Sequence, residues 1–325
     1  MHRVYRTAVG VVGMASDRVV LPRTVRPVHY DLALQPDLDK RTFTGTVSVH
    51  IEVLQDALQT ITLNALDLVV SSAKVGALVA SDIRYDAKDG LALLTFPSAL
   101  PKGAAVLDMS FSGVLSDKMV GFYASTYEKD GVKKTMAVTQ FEAVYARRAL
   151  PCWDEPALKA TFSVHLTVDK GLVAVSNMPA IREEDQGAKV KISFDKTPVM
   201  STYLLAFVIG EFDSIEGKTQ DGVLVRIWTP PGKAEQGRFA LDASIKILEF
   251  YNRYFEIPYP LPKVDQLAIP DFAFGAMENW GCITYRSTAL LVDPENSSAS
   301  SKQYVAIVVA HELAHQWFGN VTSLC

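Results

Sequence analysis

Between residues 21 and 212, apolar and polar positions alternate in short runs. Val47, Val49, Ile51 and Val53 are separated by Ser48, His50 and Glu52, and Phe162, Val164, Leu166 and Val168 by Ser163, His165 and Thr167. A period of two is that of a half-buried strand, with one set of side chains facing a core and the other facing water. Pro36-Asp37, Asp89-Gly90, Asp130-Gly131 and Asn177-Met178-Pro179 punctuate the runs. Short strands joined by such turns predict an all-β, sandwich-like module over residues 21–216. His50 and His165 fall on the polar side of their strands and read as members of a solvated sheet face. Residues 1–20 stand outside this pattern, as a tail or a weak targeting segment.

The segment 217–222, Gly-Lys-Thr-Gln-Asp-Gly, holds no apolar residue and predicts a boundary. Residues 223–228 read as a strand, and Pro230-Pro231-Gly232 as a turn. From Ala234 the period changes. Leu241, Ile245, Leu248, Tyr251 and Phe255 step by three and four, which predicts an amphipathic helix of about five turns. Pro258 and Pro260 stop it. Short strands are predicted over 267–269 and 282–285, then a polar loop rich in Ser and Asn over 294–301. The stretch 305–319 has no proline, and no glycine until Gly319. It is long enough for about four helical turns. The second module, 222–325, therefore reads as α+β.

Composition narrows the class. A hydrophobic content of 49% and a charged content of 21% describe an ordinary globular chain. A net charge of −4 gives no basic excess and argues against nucleic acid as a partner. The apolar runs stay short of the roughly 20 residues that a bilayer-spanning helix needs. Cys152, Cys282 and Cys325 are too scattered for a disulfide framework, so a reducing compartment, the cytoplasm, is the simplest reading. The alternative is delivery to an organelle or the secretory route. Residues 1–16 carry Arg3 and Arg6, no acid, and the apolar stretch 8–15. Nothing in the pattern assigns an oligomeric state.

The chemistry concentrates in three places. In 305–319, His311 and His315 are four apart and project from one helix face, with Glu312 beside the first. This is the H-E-x-x-H arrangement, in which two imidazoles hold Zn2+ and the glutamate polarises a zinc-bound water. Its bland reading is a chance pair of helix histidines. A catalytic zinc ordinarily has a third protein ligand. Residues 316–325 contain no Asp, Glu or His, and Cys325 at the very end is a poor substitute. The second place is Gly275, Ala276, Met277, Glu278 and Asn279, followed by Trp280 and Gly281. Two glycines bracket a carboxylate in a loop, where an extended backbone can pair with a peptide as an added strand. Glu278 is suited to an α-ammonium, or is simply a turn residue. The third is Gln140, Phe141 and Glu142, with Arg147, Arg148, Asp154 and Glu155 nearby; these last four read as a salt-bridged corner.

Together, Gly275-Ala276-Met277-Glu278-Asn279 and His311-Glu312-Leu313-Ala314-His315 resemble the paired signature of the M1 family of zinc aminopeptidases, in the gluzincin branch. Flanking segments, including Gln140-Phe141-Glu142 and the run from Ala146 to Pro156, are similar to its puromycin-sensitive-like subgroup. The likeness runs from about residue 21 to 322. It implies a multi-domain protein, with an all-β N-terminal domain followed by the first part of an α+β, thermolysin-like catalytic domain. It also implies Zn2+ on His311 and His315, Glu312 as general base, and Glu278 and Glu142 holding the free α-amino group of a peptide substrate. Gln140 would line the first side-chain pocket, and 275–279 would bind the peptide backbone. Two carboxylates closing one end of a cleft would let only the first peptide bond reach the metal.

The chain departs from the family pattern after Thr322. The family's third ligand, a glutamate in a following helix, and its downstream tyrosine are not among these residues. The expectation is a family aminopeptidase whose 325 residues alone are inactive. The alternative is a non-catalytic, aminopeptidase-derived protein that binds peptide ends or a partner. The β module is expected to be stable by itself and 222–325 to be marginal.

Overall fold

The computed structural model describes residues 20–321. Residues 1–16 and Cys325, singled out above, lie outside the described residues. The alternating runs form a sandwich. An eight-stranded sheet is ordered Ala180–Gln186, Lys189–Phe194, Thr161–Asp169, Val25–Asp37, Thr42–Val53, Gly103–Val114, Leu68–Val75 and Leu78–Val79. Val47, Val49, Ile51 and Val53 are buried on its inner face, while Ser48, His50 and Glu52 point outward. On that outer face His165 meets Asp31 and Ser193. The inner face packs on a four-stranded sheet ordered Val173–Ser176, Phe207–Gly210, Val132–Gln140 and Gly121–Lys129. Phe43 of the large sheet meets Phe122 of the small one at 5.2 Å, and Phe122 meets Phe207 at 4.9 Å. Such edge-to-face contacts suit the ring quadrupole and fill the space between the layers.

The second module is built on a five-stranded sheet ordered Asp213–Lys218, Leu224–Thr229, Lys263–Ile269, Cys282–Arg286 and Ala276–Met277. The segment 217–222 turns its first hairpin: Gly222 N donates to Thr219 O and Thr219 N to Val223 O. A polar run without apolar residues is as characteristic of a hairpin tip as of a linker. Helix α1 (Arg238–Tyr254) crosses between two parallel strands, Leu224–Thr229 and Lys263–Ile269. It buries Ala240, Leu241, Ser244 and Leu248. The short α2 (Ser287–Leu290) leads toward α3 (Ala299–His315).

Helix α3 starts six residues earlier than its apolar pattern predicts, inside the Ser-rich stretch read as loop. Ser298 caps it, its Oγ accepting from Ser301 N at 3.1 Å. The helix buries Val305, Val309, Glu312 and Leu313. It docks on α1 through Tyr251, whose hydroxyl donates to Ala310 O at 3.0 Å. Trp317 closes the end, packing on Tyr251, Phe255 and Tyr259.

Outside this packing, α1, α3 and the segment just after α3 leave apolar side chains in water. Tyr254 is 68% exposed, Ile307 59%, Phe318 54% and Phe250 51%. The sandwich also exposes apolar side chains on its outer side, such as Val114 and Ile181, but its aromatic core is enclosed between two sheets, so the second module is the one expected to open first. Limited proteolysis is expected to cut the second module first and to leave a resistant fragment ending between residues 210 and 222. A first cut inside the β module would contradict this.

Candidate active site

Three segments from both modules meet beside α3. The strand Val132–Gln140 ends at Gln140, which is 1% exposed and pairs with Gly121. Phe141 is buried, and Glu142 emerges on the open side. The segment beyond is held by Arg147, which donates through Nε to Asp154 at 3.0 Å, while Arg148 pairs with Asp67. Glu155 accepts from the backbone Leu21 N at 2.6 Å, so of the four charges expected to form a corner only Arg147 and Asp154 pair with each other.

From the second module, Ala276–Met277 forms the last strand of its sheet, pairing with Thr284 and Tyr285 on one side only. Glu278 and Asn279 follow, buried. Asn279 Nδ2 donates to Thr284 Oγ1 at 3.2 Å. The loop is fixed to the β module at both ends. At its start, Asp271 accepts from Thr126 N at 2.7 Å through its carboxylate and from the Tyr123 hydroxyl at 2.9 Å through its carbonyl. At its end, Asn177 Nδ2 donates to Trp280 O at 2.9 Å. Lys263 Nζ donates to Ser176 O at 2.6 Å and to Gly281 O at 2.8 Å. Because the strand carrying Gln140 pairs with the strand that Asp271 grips, Glu142 and Glu278 share one frame. No periodicity or motif along the chain marks Asp271, Asn177 or Lys263.

On α3, the Nε2 atoms of His311 and His315 stand 3.2 Å apart. His315 Nδ1 lies 3.2 Å from Phe318 O, which favours its proton on Nδ1 and leaves its Nε2 as the acceptor toward His311. Two converging imidazole lone pairs fit two corners of a tetrahedral zinc site. Among the described residues no group of three or more His, Cys, Asp or Glu side chains is arranged to hold a metal. Glu312 is buried beside the exposed His311, and its charge joins burial in raising the Tyr285 phenol.

The electrostatics tie the three segments together. Burial, then Glu278, then Glu142 push the Glu312 carboxyl up to about 8. Glu142 is also raised, by desolvation and by Glu278, with His315 pulling it back. Carboxylates placed this close raise one another, and a cation beside them would oppose these shifts. Buried polar atoms without a partner collect here as well. Of nine such atoms among the described residues, five belong to Gln140, Asn279, Trp280, Glu312 and Asn320. Buried polar groups are ordinarily paired, so these atoms are the ones open to a further partner.

Comparison with known proteins fits this arrangement. The family model for the peptidase M1 N-terminal domain matches residues 26–204, and that for the peptidase family M1 domain matches 239–325. The chain is 52% identical to aminopeptidase M1 of Arabidopsis thaliana over 312 residues, covering 94% of this chain and 35% of that protein. It is 43% identical to the puromycin-sensitive aminopeptidase of Caenorhabditis elegans, covering 99% of this chain and 36% of that protein. Endoplasmic reticulum aminopeptidase 1 of Rattus norvegicus is 44% identical, with 94% and 34% covered. The chain thus spans about a third of the length of these relatives.

Proposed function

Since the chain belongs to the peptidase M1 family, we propose that it forms the amine-recognising and metal-binding part of a zinc aminopeptidase acting on peptides with a free N-terminus. The observation that supports this most is the meeting of Glu142, Glu278 and Glu312 beside the imidazoles of His311 and His315, drawn from both modules. His311 and His315 hold the zinc through Nε2. Bound there, zinc supplies Lewis-acid activation of water and of the scissile carbonyl. Glu312 accepts the proton of the attacking water, and its unpartnered Oε2 is the atom free to do so. Glu142 and Glu278 bind the α-ammonium, a charge-assisted contact that fixes the substrate's end. Gln140 lines the first side-chain pocket. Gly275, Ala276 and Met277 offer the open edge of the sheet to the peptide backbone, with Asn279 bracing the loop.

The residues in hand supply two of three protein zinc ligands, so the 325-residue polypeptide by itself binds zinc weakly and turns over no substrate. The proposed compartment is the cytoplasm, supported by Cys152 and Cys282, both free and buried. No helix among the described residues is long and apolar enough to cross a membrane.

Competition with a chromophoric chelator tests the metal assignment. The chain is expected to bind one zinc ion, and replacing both His311 and His315 by Ala to lower its affinity at least about tenfold. Equal affinity in the double variant would remove the zinc site from α3.

A further inference from the structure

The backbone that carries Glu278 folds back over residues 278–282, and its hydrogen bonds are unequally placed. The second half closes as an ordinary turn. Cys282 N donates to Asn279 O at 3.0 Å, and Gly281, third in that turn, has φ +73°. A Cβ there would also lie 2.6 Å from Asn177 O. The first half stays open. In a closed four-residue turn the amide of Gly281 would donate to the carbonyl of Glu278. Instead the carboxamide of Gln316 stands between them. Gly281 N donates to Gln316 Oε1 at 3.0 Å, and Gln316 Nε2 donates to Glu278 O at 3.1 Å. Asn320 Nδ2 donates to the same carbonyl at 3.0 Å. The Tyr259 hydroxyl steadies the acceptor end of Gln316 at 3.4 Å. Gln316 is fully buried.

A carboxamide carries a neutral donor and a neutral acceptor side by side, which is what an opened turn requires. Gln316 follows His315 directly and lies four residues after Glu312, on the same side of the helix axis. Its backbone is therefore rigidly linked to the imidazole pair, and its side chain to the loop of Glu278. No other described hydrogen bond ties α3 to that loop apart from Asn320's. We infer that Gln316 is a positioning residue: it opens the 278–281 turn and sets the distance between the Glu278 carboxylate and the His311–His315 pair. On the reading of Glu278 as an amine anchor, that distance decides which peptide bond of a substrate reaches the metal-binding imidazoles.

The test compares Gln316→Met, which keeps length and loses both hydrogen bonds, with Gln316→Glu, which keeps the acceptor for Gly281 and loses the donor to Glu278. The readouts are the NMR shift and exchange rate of the Gly281 amide, titration with leucinamide, and zinc affinity. In Gln316→Met the Gly281 amide is expected to move upfield and exchange at least tenfold faster. Leucinamide affinity is expected to fall about tenfold, the equivalent of one anchoring interaction, and zinc affinity to stay within twofold. Gln316→Glu is expected to keep the Gly281 shift while losing leucinamide affinity. An unchanged Gly281 amide in Gln316→Met would overturn the proposal. So would parallel losses of zinc and leucinamide affinity, which mean a general loosening of α3. If the unmodified chain binds no leucinamide, the amine-anchor reading of Glu278 fails, and the Gly281 amide alone still decides whether Gln316 holds the turn open.

Discussion

Joined to the remaining two thirds of a full-length relative, the chain is expected to release amino acids from an aminoacyl chromophore, and Glu312→Gln to lower that rate by about 10²–10⁴-fold, the range of general acid–base catalysis. The 325-residue polypeptide alone is expected to show no turnover with zinc present. The physical basis is the division of labour at the site. Glutamine has the size and hydrogen-bonding reach of glutamate but takes no proton, so KM should hold while kcat falls. Sign and pH also follow. With no cation nearby, burial, Glu278 and Glu142 push the Glu312 carboxyl up to about 8, where it is protonated and idle as a base at neutral pH. A zinc ion beside it and a substrate ammonium between Glu142 and Glu278 both favour its charged form. The rate of the joined enzyme should therefore rise with pH along an acid limb centred below 8. A Glu312→Gln variant retaining more than a tenth of the rate would remove Glu312 from the proton transfer. Turnover by the 325-residue polypeptide, abolished by the same substitution, would show that two imidazoles suffice.

The parts of the fold that were legible in the sequence are those whose period comes from burial on one side. Val47 to Val53 and Phe162 to Val168 alternate because one face of each strand meets the phenylalanine layer and the other meets water. Leu241 and Leu248 step helically because α1 buries a single stripe. The start of α3 was not legible. Ser298 to Ser301 are polar, and only the capping hydrogen bond, not apolar spacing, makes them helical. The site divides in the same way. His311, Glu312 and His315 are legible because a helix converts a spacing of four into a shared face. Glu142 and Glu278 are 136 positions apart, and their meeting depends on Asp271 gripping Thr126 and on Asn177 holding Trp280. No local period encodes such a contact. Gln316 left one faint signal, its position four residues after Glu312.

The buried charges beneath the Glu278 loop should dominate the stability of the second module, with Asp265→Ala costing about 3–5 kcal/mol, the usual penalty for unpairing a buried charge. Asp265 is fully buried and accepts from Arg226 Nε at 2.6 Å, Arg226 NH2 at 2.9 Å and Trp228 Nε1 at 2.9 Å. It also pairs with Lys263 at 2.7 Å, whose side chain is 2% exposed. Removing the carboxylate strands Lys263 in the interior. Its other partners, Ser176 O and Gly281 O, are neutral carbonyls and do not offset its charge. Burial alone would raise the Asp265 carboxyl, but Lys263 and Arg226 outweigh it and hold it below the ordinary 3.8. A depressed folded value means that the stabilisation is present above 3.8 and is lost as pH falls through the lower, folded value. The difference in urea midpoint between the unmodified chain and Asp265→Ala should thus be large at pH 7 and shrink only in strong acid. The exposed pair Lys40–Asp37 is the control, and Asp37→Ala is expected to leave the midpoint where it is. A loss below about 1 kcal/mol for Asp265→Ala would mean that water or a shifted Lys263 satisfies the charge. The Gly281 carbonyl would then be held by something other than the ion pair. Because Lys263 spans Ser176 of the β module and Gly281 of the loop, a full loss should also loosen the frame shared by Glu142 and Glu278, and leucinamide binding should weaken before the sandwich itself unfolds.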